Sequence, residues 1–254
     1  MIEHSFIILP KVAGKKEQNL WNTGIHTWQD FIDAKTIPNI EKNKKLFFDR
    51  FLEKAKEQLL ANNIEFFRPL LPSTETWRLY NYFKDEACFL DIESSGQNGY
   101  ITVVGIYDGY DTKILVKNKN LYPELLKKAF EKYKLLITFN GSSYDIPVLE
   151  KYYPGIVPKI PHIDLRHCCA KIGLTGGLKQ IEEQLVIKRP THLKGYGGDN
   201  AIDLWRAYLA SGREEYLKTL IEYNEEDIIN LKPLMEHCYT ELKKKTLLTP
   251  AGPT

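Results

Sequence analysis

The chain has 254 residues, and its 35 Lys and Arg nearly balance its 33 Asp and Glu, which leaves a formal net charge of +2. This length suits one large domain, or a catalytic domain with an appended helical region. The charge balance is typical of a globular protein and does not require a polyanionic partner. Any face that binds nucleic acid must therefore be local.

The N-terminal segment and the cysteines indicate the compartment in which the protein works. The segment MIEHSFIILPK has an early acidic residue and no small-residue cleavage site, which argues against a secretory signal. No apolar run approaches the length of a membrane span. The four cysteines show neither CxxC pairing nor zinc-ligand spacing, which favours a reducing environment. We therefore expect a cytoplasmic protein without a membrane partner.

The first third of the chain has a mainly helical pattern. Residues 6–9 form an apolar run that predicts a short strand. The segment TWQDFIDA predicts a helix for which Thr27 is the N-cap, and apolar residues recur at helical spacing from Asn43 onward. A break with two prolines precedes another predicted helix at residues 75–83.

From Ala87 onward, predicted strands and helices alternate. Three strands come first, then helix, strand, helix, a short strand and a helical remainder. This order predicts an α/β fold with a mixed sheet covered by helices. We expect residues 1–84 to be a mainly helical region packed on a catalytic domain of residues 85–245, with 246–254 as a tail.

The stretch FLDIE has two carboxylates at the end of a predicted strand. Side chains alternate along a strand, so Asp91 and Glu93 project from the same side while Leu90 and Ile92 project from the other. A shared hard cation such as Mg²⁺ or Mn²⁺ would relieve the repulsion between the two charges. The alternative is an edge strand with a solvated polar face.

Two later segments have further acidic residues. NGSSYD places Asp145 at a helix start beyond the C-terminal end of a buried strand, where ligand sites of α/β sheets gather. In YNEED, Tyr223 and Asp227 are four residues apart and share a helix face. A helix cap and a packed tyrosine beside a solvated charge are the structural alternatives. Together with FLDIE, these segments supply four carboxylates, about the number that two divalent cations need.

The three segments resemble the motifs of the DEDD superfamily of 3′–5′ exonucleases, in the variant with tyrosine in the third motif. FLDIES fits Asp-x-Glu, NGSSYD fits Asn-x-x-x-(Phe/Tyr)-Asp, and YNEED fits Tyr-x-x-x-Asp. More narrowly, LWNTGIHTWQDFI and the tract from GGLKQIEEQLVI to LIEYNEEDIINL resemble the YprB-like ribonuclease H-fold exonucleases. This resemblance spans residues 6 to about 240. It implies a ribonuclease H-like mixed β-sheet flanked by helices, with an N-terminal mainly helical extension.

The resemblance also implies a catalytic site. It assigns Asp91, Glu93, Asp145 and Asp227 as ligands of two Mg²⁺ or Mn²⁺ ions, and Tyr223 as the residue that orients the attacking water. The implied reaction is two-metal-ion hydrolysis from the 3′ end of single-stranded DNA or RNA, which releases nucleoside 5′-monophosphates. A helicase or another nucleic-acid-processing partner is compatible with this activity.

Cationic and polar residues near the motifs are candidates for contact with the strand. An acidic cleft needs cations to hold a polyanion, and the suitable part of the chain offers Lys179, Lys188, Arg189 and Lys194. Asn140 is a candidate for a sugar or phosphate contact, with a turn-forming role as the alternative.

Two other functions stay open at the level of sequence. One is a catalytically silent ribonuclease H-like module that binds nucleic acid or protein, and the other is a phosphodiesterase for small oligonucleotides. Because the full acid set and the tyrosine are present at the required spacing, we favour the exonuclease.

Overall fold

The computed structural model describes residues 1–96, 99–193, 195 and 197–248. The chain divides into two compact units, of which the first comprises Met1–Phe83 and the chain from Tyr239 onward, and the second comprises Lys84–Cys238. Within the described ranges, no helix combines the length and apolar character needed to cross a membrane.

The first unit is built from helices and 3₁₀ turns. Its α-helices are α1 (Gly14–Asn22), α2 (Trp28–Asp33), α3 (Lys42–Leu60) and α4 (Tyr80–Phe83). Aromatic side chains fill the core, where the Phe31 ring lies 5.7 Å from the Phe6 ring and 6.2 Å from the Phe48 ring, centroid to centroid. A buried ion pair joins Arg78 to Glu17 at 2.9 Å.

Two predictions for this unit are wrong in detail. Residues 6–9 contain a 3₁₀ turn at Phe6–Ile8 instead of a strand, because the backbone N–H groups of Phe6 and Ile7 donate to the Glu17 carboxylate and not to a neighbouring strand. The helix predicted at residues 75–83 is a 3₁₀ helix over Ser73–Leu79 that continues into α4.

The second unit contains one mixed five-stranded sheet. Its strands are β1 (Ala87–Ser94), β2 (Ile101–Tyr107), β3 (Thr112–Val116), β4 (Leu135–Thr138) and β5 (His162–Asp164). They lie in the order β3-β2-β1-β4-β5, so β1 is central. The β1–β2 and β2–β3 pairs are antiparallel, whereas β1–β4 and β4–β5 are parallel.

Six helices accompany the sheet among the described residues. They are α5 (Pro123–Phe130), α6 (Asp145–Tyr152), α7 (Leu165–Lys171), α8 (Leu178–Gln184), α9 (Gly198–Ser211) and α10 (Glu214–Leu248). Residues 214–238 of α10 belong to this unit. The mixed sheet with flanking helices confirms the predicted fold class.

Both faces of the sheet are covered. On one face, Leu90 and Ile92 of β1 pack in a core with Leu126 of α5 and Leu149 of α6. On the other face, a second core contains Val103, and its helical members include Trp205 of α9 and Leu220 and Tyr223 of α10. Because β1 is central and both faces are covered, a polar side chain at its end is removed from water.

Thr27 caps α2 in the first unit, as the sequence predicts. Its hydroxyl accepts from the Asp30 N–H at 3.1 Å, and the Asp30 carboxylate accepts from the Thr27 N–H at 2.8 Å. Since a lost N-cap leaves helix N–H groups unpaired, we expect Thr27→Ala to lower the free energy of unfolding by about 1 kcal/mol, measured by urea denaturation. The exposed Thr36→Ala serves as control; equal stability of the two variants would contradict the capping role.

Candidate active site

The end of β1 directs two carboxylates away from the α5–α6 core. Leu90 and Ile92 are buried in that core, so the alternating residues Asp91 and Glu93 face the opposite side of the sheet. The register with β2 shifts between Glu93 and Ser94. Irregularities of this kind change the direction of side chains next to active sites, and this one lies directly after Glu93.

Three carboxylates from two elements meet at this point. Asp91 and Glu93 of β1 and Asp227 of α10 offer oxygens that all lie within 4.8 Å of one another. Glu93 is 8% exposed and Asp227 is 6% exposed. The cluster is therefore dense in charge and poor in solvent.

Asp145 lies next to this group but outside it. It is the first residue of α6, and its Oδ1 accepts a hydrogen bond of 3.0 Å from the backbone N–H of Ile92. This bond ties the start of α6 to β1 between the two strand carboxylates. Asp145 lines a cavity of about 500 Å³ together with the three clustered carboxylates and Tyr223.

Burial and mutual repulsion shift these acids toward their protonated forms. Burial, then the charges of its carboxylate neighbours, raises the pKa of Asp91 well above its usual range, and the same causes act on the pKa of Glu93. Burial raises the pKa of Asp145 to about 7. The pKa of Asp227 is also raised by burial, although the nearby Arg189 opposes the shift.

The donor set fits a hard divalent cation. Carboxylate oxygens are the ligands that Mg²⁺ and Mn²⁺ prefer, and clustered buried carboxylates ionise together only when a cation offsets their charge. The carboxylates whose oxygens lie close enough together to share a cation are those of Asp91, Glu93 and Asp227. Asp145 is close enough to add a fourth carboxylate to the same cavity.

Tyr223 and Lys179 lie against the cluster. Tyr223 is 5% exposed, and burial raises the pKa of its phenol, so the phenol stays protonated at neutral pH. The Lys179 ammonium lies 4.3 Å from the centroid of the Tyr223 ring and makes no hydrogen bond within the described ranges. Burial lowers the pKa of Lys179.

Arg189 does not lie where a strand-contacting residue is expected. Its side chain is only 8% exposed and binds two carboxylates, Glu182 of α8 and Asp227 of α10. Lys188 beside it is exposed. The sequence signalled a cation in this part of the chain but gave no sign of its carboxylate partners. Lys194 lies outside the described residues.

Asn140 takes part in the loop between β4 and α6. It has a positive φ of 63°, its N–H donates to Asp164 Oδ1 at 2.8 Å, and its side-chain oxygen accepts from Arg166 Nη1 at 2.7 Å. It also lines the cavity that contains the carboxylates. Asn140 therefore forms a turn and also lies beside the carboxylates.

Asn224, next to Tyr223, is a site residue that sequence reasoning missed. Its Nδ2 donates to Asp91 Oδ2 at 2.9 Å, and its side chain is completely buried. It fits against the backbone of Gly105, which pairs with Asp91 in the β1–β2 ladder. The signal was its place inside YNEED, on the helix that carries both Tyr223 and Asp227.

The fold and the site together define an RNase H-like domain whose acidic cluster fits a nuclease. Residues 88–239, more than half of the chain, match the family model of the RNase_H superfamily, so the chain belongs to that superfamily. A search of curated proteins and a search of solved structures each find no match. The narrower likeness to YprB-like exonucleases stays a prediction.

In the metal-free protein, the contribution of Asp145 to the free energy of unfolding is expected to fall as the pH rises toward neutrality. The pKa of Asp145 is raised from 3.8 to about 7, so between these values the native state binds a proton more readily than the unfolded chain. The resulting stabilisation is complete below about pH 4 and is lost as the pH rises through about 7. Its size should exceed about 1.4 kcal/mol, the value of one pKa unit.

Urea unfolding of EDTA-treated protein between about pH 4 and pH 8 measures this effect. Asp145→Asn should remove the corresponding part of the pH dependence, whereas the exposed Asp203→Asn should retain it. Parallel pH profiles for Asp145→Asn and the wild type would show that this carboxyl titrates normally.

Gly105 should not tolerate a side chain. A Cβ at this position would overlap Asn224 Oδ1, and the buried helix α10 leaves that amide little room to move. We expect Gly105→Ala to cost about 1–3 kcal/mol of stability, measured by chemical denaturation. Gly14→Ala, where no atom lies within 4 Å of the new Cβ, is the control. Equal stability of the two variants would mean that Asn224 is not held at Gly105.

Proposed function

We propose that the protein is a metal-dependent 3′–5′ exonuclease that hydrolyses single-stranded nucleic acid and releases nucleoside 5′-monophosphates. The observation that carries the proposal is the cluster of Asp91, Glu93 and Asp227, whose oxygens lie within 4.8 Å of one another beside Asp145 and Tyr223. Two divalent cations, Mg²⁺ or Mn²⁺, would supply charge neutralisation for the phosphate during hydrolysis.

The cavities beside the cluster have room for a nucleotide. The cavity of about 500 Å³ adjoins one of about 280 Å³, and both are lined by Asp91, Phe139, Tyr223 and Asp227. Volumes in this range enclose a small ligand. A nucleotide of a single strand therefore has room beside the carboxylates, and the preference for a strand end follows from the motif resemblance.

The chain's own residues have distinct tasks in this proposal. The four carboxylates hold the cations, and the protonated phenol of Tyr223 orients the attacking water by hydrogen bonding, since its raised pKa prevents it from acting as a base. Lys179 lines the smaller cavity and is placed to contact a phosphate if its ammonium leaves the Tyr223 ring. Asn140, on the wall of the larger cavity, is a sugar or phosphate contact.

The test uses 5′-end-labelled single strands of DNA and RNA, incubated with Mg²⁺ or Mn²⁺. We expect a ladder of products shortened from the 3′ end. In Asp91→Asn and Asp227→Asn the rate should fall by at least about 100-fold, the upper range of losses for residues that only support metal ligands. Asp203→Asn, an exposed acid on α9, should cleave like the wild type.

A circular single strand distinguishes the reaction classes, because it offers no end. It should survive incubation that degrades the linear strand. Cleavage of the circle would indicate an endonuclease, binding without any cleavage would indicate a silent module, and digestion of only the shortest oligomers would indicate a small-oligonucleotide phosphodiesterase. Each of these three results contradicts the proposal.

A further inference from the structure

A buried arginine connects α8 with the carboxylate cluster. Arg189 donates from Nε and Nη2 to the two oxygens of Glu182 at 2.5 and 2.7 Å, and Nη2 also donates to Asp227 Oδ1. The Glu182 side chain is 2% exposed. We call these two residues, Glu182 and Arg189, the clamp.

The clamp restricts the orientation of Asp227. A planar guanidinium held by both oxygens of one carboxylate has a fixed plane. Because Arg189 binds Oδ1 from that fixed plane, the Asp227 carboxylate loses its freedom to rotate beside the other two carboxylates. Outer residues that orient metal ligands in this way tune metal affinity.

The clamp also leaves the charge of the cluster unchanged. An arginine alone beside Asp227 would add a positive charge and would repel a divalent cation. Glu182 cancels that charge at hydrogen-bonding distance. The pair therefore orients the Asp227 carboxylate and does not reduce the negative potential that attracts cations.

Contact with a strand and stabilisation of the fold each explain the clamp less well than positioning of Asp227 does. The guanidinium is buried, and Nη1, the one donor nitrogen without a hydrogen-bond partner within the described chain, is shielded from solvent, so Arg189 does not present a donor at the surface to a strand. A buried ion pair adds little stability compared with apolar residues of similar volume. A role in positioning Asp227 accounts for its place next to the cluster.

We propose that Arg189 and Glu182 are positioning residues that hold Asp227 in the orientation required for divalent-cation binding. The proposal rests on the proposed function, because it assigns the clamp to the same cation site. It concerns the order of the site in the absence of nucleic acid, so direct cation binding tests it without an activity assay.

The central variant is the double substitution Glu182→Leu with Arg189→Met. It removes both charges of the clamp together, so the net charge is unchanged and Asp227 alone loses a partner. Circular dichroism and thermal melting verify that the chain folds. Mn²⁺ binding is measured by calorimetry or electron paramagnetic resonance without nucleic acid. We expect binding to weaken about 10- to 100-fold.

Two single substitutions refine the test. Arg189→Lys keeps the charge but loses the fork, so its Mn²⁺ affinity should lie between that of the wild type and that of the double variant. Glu182→Gln leaves the arginine uncompensated and should also weaken binding. The exposed neighbour Glu183 provides a matched control, since Glu183→Gln makes the same charge change as Glu182→Gln outside the clamp and should bind Mn²⁺ normally.

Cleavage assays then separate positioning from strand contact. The Mn²⁺ concentration for half-maximal cleavage should rise in parallel with the binding constant, while KM for the strand stays within about twofold of the wild type and kcat recovers in part at saturating Mn²⁺. A purely structural defect would lower the melting temperature and would not be relieved by Mn²⁺.

Three results would overturn the inference. The first is a folded double variant that binds Mn²⁺ as tightly as the wild type does, while the wild type still cleaves, in which case only the clamp is rejected. The second is an increase confined to KM for the strand, which would make Arg189 a strand contact. The third is a wild type that neither binds Mn²⁺ nor cleaves, which would reject the proposed function together with the clamp.

Discussion

Mutual repulsion of buried carboxylates is the constraint on which the site depends. Two like charges about 4 Å apart repel by on the order of 4 kcal/mol at the effective dielectric constant of a protein surface, and burial adds a desolvation cost. At the end of β1, Asp91 and Glu93 stand together with Asp227 under these conditions. Protons, cationic side chains or metal ions can neutralise these charges. The pKa values of the three carboxyls are raised because of the repulsion and the desolvation.

The fold produces this arrangement from ordinary elements. β1 is central and covered on both faces, so its alternation places two acids on the side opposite the Leu90 and Ile92 core. The start of α6 brings Asp145 to the Ile92 N–H, and α10 brings Asp227 across the other face. Apolar packing of the strand and helices therefore fixes the carboxylates in place, and the unfavourable charge density is stabilised by the rest of the domain.

The local cation balance shows how the site is organised without reducing its charge. Glu182 cancels the charge of Arg189. The Lys179 ammonium lies over the Tyr223 ring, and burial lowers the pKa of Lys179. Neither cation is positioned to neutralise all the clustered acids. This leaves a negative potential inside a cavity, which is the environment that concentrates divalent cations.

Local patterns in the sequence predict the elements but not the partners that meet across them. Alternation along FLDIE places Asp91 and Glu93 on one face, because alternation depends on neighbouring residues alone. The order of strands and helices along the chain predicts the mixed sheet. The 3₁₀ turn at Phe6–Ile8 arises from Glu17, and the role of Arg189 arises from Asp227, 38 positions away. Such contacts depend on tertiary packing, which the periodicity of the local sequence does not predict.

The account predicts that the carboxylate cluster is a cation site, and a crystal of the protein soaked in Mn²⁺ tests this most directly. Anomalous scattering should place manganese among the side-chain oxygens of Asp91, Glu93 and Asp227, with a second ion on the Asp145 side when a short oligonucleotide is bound. Ordered carboxylates without anomalous density at saturating Mn²⁺ would contradict the account, since protons or side-chain cations alone would then neutralise the cluster.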